Sequence, residues 1–131
     1  MESSKVDFRF LVRVSKPGYG DSSSDNGINI KAEHWMHTAR RWMPYNAFKL
    51  YLLFGSCNDR EVRTFDNRFV HENLGLSLTD SYRTAFNELI EAGYVHRYGV
   101  WNKGGEMLYD FHLEPMTDSE YGSFVDNYYA E

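Results

Sequence analysis

The sequence predicts a single α+β domain, and three observations lead to this class. The N-terminal segment alternates between apolar and polar residues, the central region carries three segments with helical periodicity, and a glycine-bearing turn near residue 100 separates two strand-like segments. The chain has 131 residues, which suits one domain with one hydrophobic core. Hydrophobic residues make up 42% of the chain and aromatic residues 17%, a composition that indicates a folded protein.

Two strands are predicted before the helices. Apolar residues stand at every second position from Val6 to Val14, which is the period of a half-buried strand. Residues 15–27 are rich in Ser, Gly, Asp and Asn and predict a loop, after which residues 28–31 resume a strand-like pattern. We therefore expect these two strands to pair as an N-terminal β-hairpin. Residues 32–42 have an ambiguous pattern that fits a short helix.

Three helices are predicted next. Residues 46–57 form the firmest of them, because their apolar side chains follow a three-four spacing. Asp66 is a good N-cap for a short second helix that ends at Gly75. The third helix is expected over residues 80–92, with Gly93 as its C-terminal stop. The apolar faces of the three helices are Ala47, Leu50, Tyr51 and Phe54; Phe69, Val70 and Leu74; and Tyr82, Ala85, Phe86, Leu89 and Ile90.

The last part of the chain predicts a β-hairpin and a tail. Residues 94–98 and 107–113 have strand patterns, and the intervening segment contains Gly104 and Gly105. The net charge is −5, and the tail after residue 113 contains five acidic residues without Lys or Arg, so the rest of the chain is neutral.

We therefore divide the chain into a domain of residues 1–113, with its core at 28–113, and an acidic aromatic tail of residues 114–131. A solvated tail is the default expectation, although its aromatic residues also fit a short helix docked on the body: Tyr121, Phe124, Tyr128 and Tyr129. The alternatives are a tail that covers a basic face of the same chain and an acidic surface that binds a partner in competition with nucleic acid.

The predicted elements follow the order of a winged helix-turn-helix domain. This order is helix, short helix, turn, helix, strand, glycine-bearing turn and strand. The segments that carry this order are residues 28–30, AFKLYLLF at 47–54, LGLS at 74–77 and ELIEAGYV at 88–95. In these segments the chain resembles the winged-helix domains of phage and plasmid replication initiators, replisome organisers and related phage regulators. The resemblance covers roughly residues 28–113. It implies a third helix in the major groove of DNA and a wing that touches phosphate or the minor groove.

The resemblance also implies which side chains contact DNA. On the third helix, Arg83 is suited to guanine and Asn87 to adenine. Arginines before or on the second helix are candidates for phosphate contacts. The complete set of predicted DNA- or partner-binding residues is Arg60, Arg63, Arg68, Ser81, Arg83, Thr84, Asn87, Arg97, Trp101, Asn102 and Lys103.

The sequence thus predicts a sequence-specific protein that binds double-stranded DNA in replication or transcription control of phage or plasmid type. We expect a homodimer if its site is palindromic. The neutral body and acidic tail favour an alternative, a protein-binding winged helix that inhibits or recruits a host protein, for example an inhibitor of a nucleic-acid-guided defence nuclease. If Asp80, Glu88 and Glu91 interrupt the basic face, the protein partner is favoured.

Several other classes of function are not expected. No motif predicts catalysis, and no cofactor is implied. His34 and His37 share a helix face but lack further ligands for zinc, so we expect a basic and aromatic contact patch there instead of a metal site. No apolar run is long enough for a membrane span. The absence of a secretory signal and the single Cys57, which is expected in the core, indicate a cytoplasmic protein.

Overall fold

A computed structural model describes residues 8–16, 44–76 and 80–129 of the chain. These residues form four helices and one four-stranded sheet, which confirms the α+β class. The predicted strand at 28–31 and the predicted helix at 32–42 lie outside the described residues. In chain order the elements are β1 (Arg9–Ser15), α1 (Tyr45–Gly55), β2 (Val62–Asp66), α2 (Asn67–Leu74), α3 (Asp80–Glu91), β3 (Val95–Val100), β4 (Met107–His112) and α4 (Asp118–Tyr128).

β1 lies inside the sheet, whose strand order is β2-β1-β4-β3. It pairs antiparallel with β2, Arg9 opposite Asp66, and parallel with β4, Leu11 opposite Leu108. The described part of β1 therefore does not form the predicted N-terminal β-hairpin, because both of its edges are taken by β2 and β4. β1 also separates β2 from the β3–β4 hairpin, so the sheet order is not that of a typical wing.

One face of the sheet packs against α1, α2 and α3, and aromatic rings dominate the core between them. The Phe54 ring of α1 lies 4.8 Å from the ring of Phe65 in β2 and 5.4 Å from that of Phe111 in β4. The Phe86 ring of α3 is stacked on Phe10 of β1 at 3.8 Å. The predicted apolar faces are confirmed for the fully buried residues Ala47, Leu50, Tyr51, Phe54, Val70, Tyr82, Ala85, Phe86 and Leu89. Phe69, Leu74 and Ile90 are only partly buried and pack against this core.

The ends of α2 and α3 follow the signals in the sequence. The Oδ1 atom of Asp66 accepts a hydrogen bond of 2.7 Å from the backbone N of Phe69, as an N-cap does. Gly75 ends α2 in the left-handed conformation, with φ +75°. Gly93 follows α3 with φ +91°, and a Cβ atom at this position would lie 2.7 Å from the carbonyl oxygen of Met116. Both glycines stand where other residues would be strained.

We expect Asp66→Ala to lower the free energy of unfolding by about 1 kcal/mol, because the backbone N–H of Phe69 at the start of α2 loses its cap. Urea denaturation measures the change, with Asp66→Asn retaining most of the stability and Glu72→Ala, an exposed site on the same helix, as the control. Equal stability of the Ala and Asn variants would contradict the capping role.

Residues 118–128 form a helix packed on the other face of the sheet, which agrees with the expected docked aromatic helix and not with the default of a solvated tail. Thr117 and Glu120 form a reciprocal capping box at the start of α4. The Tyr121 ring stacks on His96 of β3 at 4.5 Å, and its hydroxyl donates to Asp110 of β4 at 2.6 Å. These contacts occur because the tail carries aromatic residues at helical spacing, which bind it to the sheet in spite of its acidity.

Candidate functional site

The two ends of the sheet differ in chemistry. β1 and β4 begin at the same end because they are parallel, and β3 ends there, Val100 opposite Met107. α2 also begins there, since Asp66 lies opposite Arg9. We call this region, made of Phe8, Arg9, Arg68, Arg83 and the turn of residues 101–106, the wing end. The opposite end carries α4 and the loop between α1 and β2.

Three arginines from three elements lie at the wing end, and one of them, Arg83, contacts Phe8. The guanidinium carbon of Arg83, on α3, lies 4.2 Å from the centre of the Phe8 ring, which is stacked on Tyr82. Arg9 of β1 and Arg68 of α2 border, together with Phe8, a groove of about 440 Å³. Of the acidic residues here, Asp66 caps α2 and Glu106 lies 3.5 Å from the Nε atom of Arg9. The structure thus gathers a local basic surface on a chain whose body is neutral.

The turn between β3 and β4 is held by its own side chains. Asn102 accepts a hydrogen bond of 3.1 Å from the backbone N of Glu106 and donates one of 3.2 Å to its carboxylate. Asn102 was predicted as a binding residue, but these bonds give it a structural role in the turn. Lys103 is exposed in this turn, and Arg97 is exposed on β3, opposite Tyr109.

The exposed side of α3 is divided between two kinds of surface. Arg83 and Asn87 are one helical turn apart and both exposed. A groove of about 340 Å³ between α3 and the start of α1 is instead bordered by two carboxylates and by two of the predicted site residues. Its lining is Pro44, Tyr45, Asn46, Asp80, Ser81, Thr84, Ala85 and Glu88. Asp80 and Glu88 therefore interrupt the predicted basic face at Ser81 and Thr84, which counts in favour of the protein partner. Arg83 and Asn87 do not line this groove.

Arg60 lies at the end of the sheet opposite the wing end. Its Nη2 atom donates a hydrogen bond of 3.0 Å to the carbonyl oxygen of Tyr128, and its guanidinium lies 4.5 Å from that ring. Arg63 is exposed on β2, with its guanidinium 5.5 Å from the Phe65 ring and 5.4 Å from the Phe69 ring. The predicted phosphate-binding set is thus split, because Arg60 and Arg68 stand at opposite ends of the sheet.

A buried ion pair lies under α4, on the sheet face opposite the core. The guanidinium of Arg13 donates to both carboxylate oxygens of Asp110, Nε at 2.6 Å and Nη2 at 2.8 Å, and the side chain of Asp110 is fully buried. Burial disfavours the charge of Arg13, but the hydrogen bond and the charge of Asp110 outweigh this cost, so the pKa of Arg13 is raised above its ordinary value.

The guanidinium of Arg13 also lies close to three aromatic rings. Its guanidinium carbon lies 3.6 Å from the ring centre of Tyr129, 4.6 Å from that of Tyr98 and 5.5 Å from that of Trp101. Sequence reasoning found only Trp101 among the functional candidates and missed Arg9, Arg13 and Tyr98. The signal for the two arginines was present, because both stand between the apolar positions of β1 and must therefore face away from the helices.

Two histidines are buried beside this ion pair. The Nδ1 atom of His96 lies 3.1 Å from the Nε2 atom of His112. Burial, together with the charges of His96 and Arg13, lowers the pKa of His112 to about 3. Burial also lowers the pKa of His96, although the charge of Asp118 acts in the opposite direction. Both imidazoles are therefore neutral in the folded protein at neutral pH.

Two observations on the described residues concern catalysis and metal binding. Cys57 is buried, and burial with the charge of Glu61 raises the pKa of its thiol to about 11, which disfavours a thiolate and agrees with the predicted core position. Among residues 8–16, 44–76 and 80–129, no three His, Cys, Asp or Glu side chains are grouped to hold a metal. The predicted basic and aromatic patch around His34 and His37 lies outside the described residues.

The described helices and the comparisons with known proteins add two findings. None of the helices within the described part of the chain has the length and apolar character that crossing a membrane requires. No family model, no curated protein and no solved structure matches the chain.

Proposed function

We propose that this chain is a DNA-binding protein of the winged helix-turn-helix kind, and that its wing end contacts the duplex. The observation that carries the proposal is that Arg9, Arg68 and Arg83 lie at one end of the sheet, with Arg83 over the Phe8 ring and with Arg9 and Arg68 bordering one groove beside it. The order of the helices and of the β3–β4 hairpin supports it, and the resemblance to phage and plasmid initiators is the reason for assigning a role in replication or transcription control. A palindromic site would be bound by a homodimer.

The chemistry of the wing end suits a duplex. The guanidinium of Arg83 lies over the Phe8 ring, and its planar set of N–H donors suits a flat acceptor pair such as N7 and O6 of guanine. Arg68, at the first turn of α2, and Arg9 are placed for phosphate contacts beside it. Because the body of the chain is neutral, affinity must come from this local surface, and it should depend strongly on salt.

We expect Arg83→Ala to weaken binding to duplex DNA about tenfold or more, since a base-contacting arginine contributes about 1–3 kcal/mol. Fluorescence anisotropy with random duplexes at two salt concentrations measures the dissociation constant. Arg68→Ala should lower the slope of affinity against salt by about one unit, because one phosphate contact is lost.

Arg60→Gln is the matched control, because Arg60 is also an exposed arginine but stands at the opposite end of the sheet. It should bind duplex DNA as the wild type does. No binding of the wild type even at low salt, or equal losses in Arg60→Gln and Arg83→Ala, would overturn the proposal.

A second candidate function, the binding of a host protein, is favoured by the groove between α1 and α3. The groove contains the carboxylates of Asp80 and Glu88, and Tyr45 at its border is 73% exposed. Such a surface suits a basic segment of a partner and repels phosphate. If duplex DNA is not bound, the chain serves as bait for a partner, and Asp80→Asn with Glu88→Gln should abolish the capture while Arg83→Ala should not.

A further inference from the structure

An aromatic surface on the β3–β4 hairpin is not used by the proposed duplex contact. It consists of Tyr98 and Trp101, which are 44% and 43% exposed, and we call it the wing aromatic surface. The rings of Tyr98 and Trp101 are 6.1 Å apart and inclined at 75°. Exposed large apolar side chains grouped in this way mark an interaction site more often than an isolated one does.

The two rings are held in place from below. Arg13 contacts both of them, and its own position is set by its two hydrogen bonds to Asp110. Tyr129 of the segment after α4 covers another side of the same guanidinium, so the wing rings are the ones that remain open to a ligand. A ligand that stacks on these rings would therefore meet a surface that is already ordered, which lowers the entropic cost of binding.

The charged side chains near the rings favour a polyanion as the ligand. Residues 98–105, which carry the rings, contain the exposed Lys103 and no acidic residue. Arg97 is also exposed, but it lies opposite Tyr109 and therefore points to the core face of the sheet. The neighbouring Glu106 is engaged by Arg9 and Asn102. Basic side chains interleaved with exposed aromatic rings are typical of surfaces that bind single-stranded nucleic acid, where the rings stack on bases and the cations attract the backbone.

We propose that the wing aromatic surface binds unpaired bases of single-stranded nucleic acid, with Trp101 and Tyr98 as stacking partners and Lys103 of the turn beside the phosphates. In a duplex both faces of each base are covered by its neighbours, so these rings gain nothing from paired DNA. This inference extends the proposed function, since nucleic acid is the ligand in both, but it assigns the unpaired strand to a different surface from the duplex.

The test is anisotropy with a labelled oligothymidylate of about 20 nucleotides and with a duplex of the same length, each at two salt concentrations. We expect Trp101→Ala to weaken binding of the single strand about tenfold, as loss of one stacked base implies, with little change for the duplex. Trp101→Phe should retain most of the binding, because a ring remains. Tyr45→Ala, which removes the most exposed described tyrosine from a different surface, is the control.

The outcomes separate the two proposals. A wild type that binds the duplex but not the single strand, or a Trp101→Ala variant that binds the strand as tightly as wild type, overturns the inference and leaves the duplex function standing. Binding of the strand that depends on Trp101, without duplex binding, supports the inference and overturns the duplex function. If neither the single strand nor the duplex is bound, both proposals are overturned, and the wing aromatic surface is then assigned to a protein partner. If Trp101→Ala does not fold, Tyr98→Leu carries the same comparison.

Discussion

We expect Asp110→Ala to lower the free energy of unfolding by about 3–5 kcal/mol, because it leaves the charge of Arg13 buried without its partner. Arg13 donates two short hydrogen bonds to Asp110, and Arg13 is 6% exposed, so water cannot replace the lost carboxylate. Tyr121 loses the acceptor of its hydroxyl at the same time. Chemical denaturation at neutral pH measures the change.

The same strand pair offers a control for this prediction. Arg9 and Glu106 also join β1 to β4, but their side chains are 63% and 30% exposed, and surface pairs contribute about 0–1 kcal/mol. Arg9→Ala should therefore change stability little. The double variant Arg13→Met with Asp110→Leu should be more stable than Asp110→Ala, since no charge is then stranded. A loss in Asp110→Ala no larger than in Arg9→Ala would show that burial does not govern this pair.

The second large effect is a loss of stability on acidification, by about 2 kcal/mol between pH 7.5 and pH 5. The cause is His112, which is 1% exposed and whose pKa burial lowers from 6.5 to about 3. His96, Arg13, Asp110 of β4, and Asp118 and Tyr121 of α4 face this site.

The sign follows from proton binding by the two states. Between the folded pKa of about 3 and the ordinary value of 6.5, the unfolded chain binds a proton that the folded chain refuses. Acidification therefore favours unfolding. The contribution of neutral His112 is fully present above pH 6.5 and is lost as the pH falls toward 3.

Urea denaturation at pH 7.5, 6 and 5 checks this expectation. His112→Gln lacks the titrating group and should show a smaller difference in unfolding free energy between pH 7.5 and pH 5 than the wild type. His71→Gln, a substitution at an exposed histidine of α2, should keep the wild-type difference. If His112→Gln and wild type lose the same stability on acidification, the buried imidazole is not the cause.

Local signals in the sequence predicted the helices of the described chain. Asp66 and Gly75 mark the ends of α2 because one satisfies backbone N–H groups and the other adopts a conformation that side chains disfavour. The apolar spacing of α1 and α3 predicted their buried faces, since a helical period of 3.6 identifies the side that meets the core. These features depend on residues only a few positions apart.

The candidate site was predicted only in part. Arg68 and Arg83 were identified, and both lie at the wing end, Arg68 in the groove that Phe8 borders and Arg83 over the Phe8 ring. Arg60 was assigned to the same face because it precedes α2 in sequence, yet its loop lies at the other end of the sheet. Arg9 was missed because it is remote in sequence and reaches the wing end only through the pairing of β1 with β2 and β4.

The sequence by itself determined the class of the fold, the bounds of α2 and α3, the turn between β3 and β4, and which side of each element is apolar. Only the tertiary structure decided that β1 lies between β2 and β4, that Arg13 meets Asp110 across a separation of 97 residues, and that the acidic α4 packs on the sheet. The physical reason is that periodicity marks a buried face without naming its partner. Strand pairing and the burial of charges depend on contacts between distant segments, and these form only when the whole chain has folded.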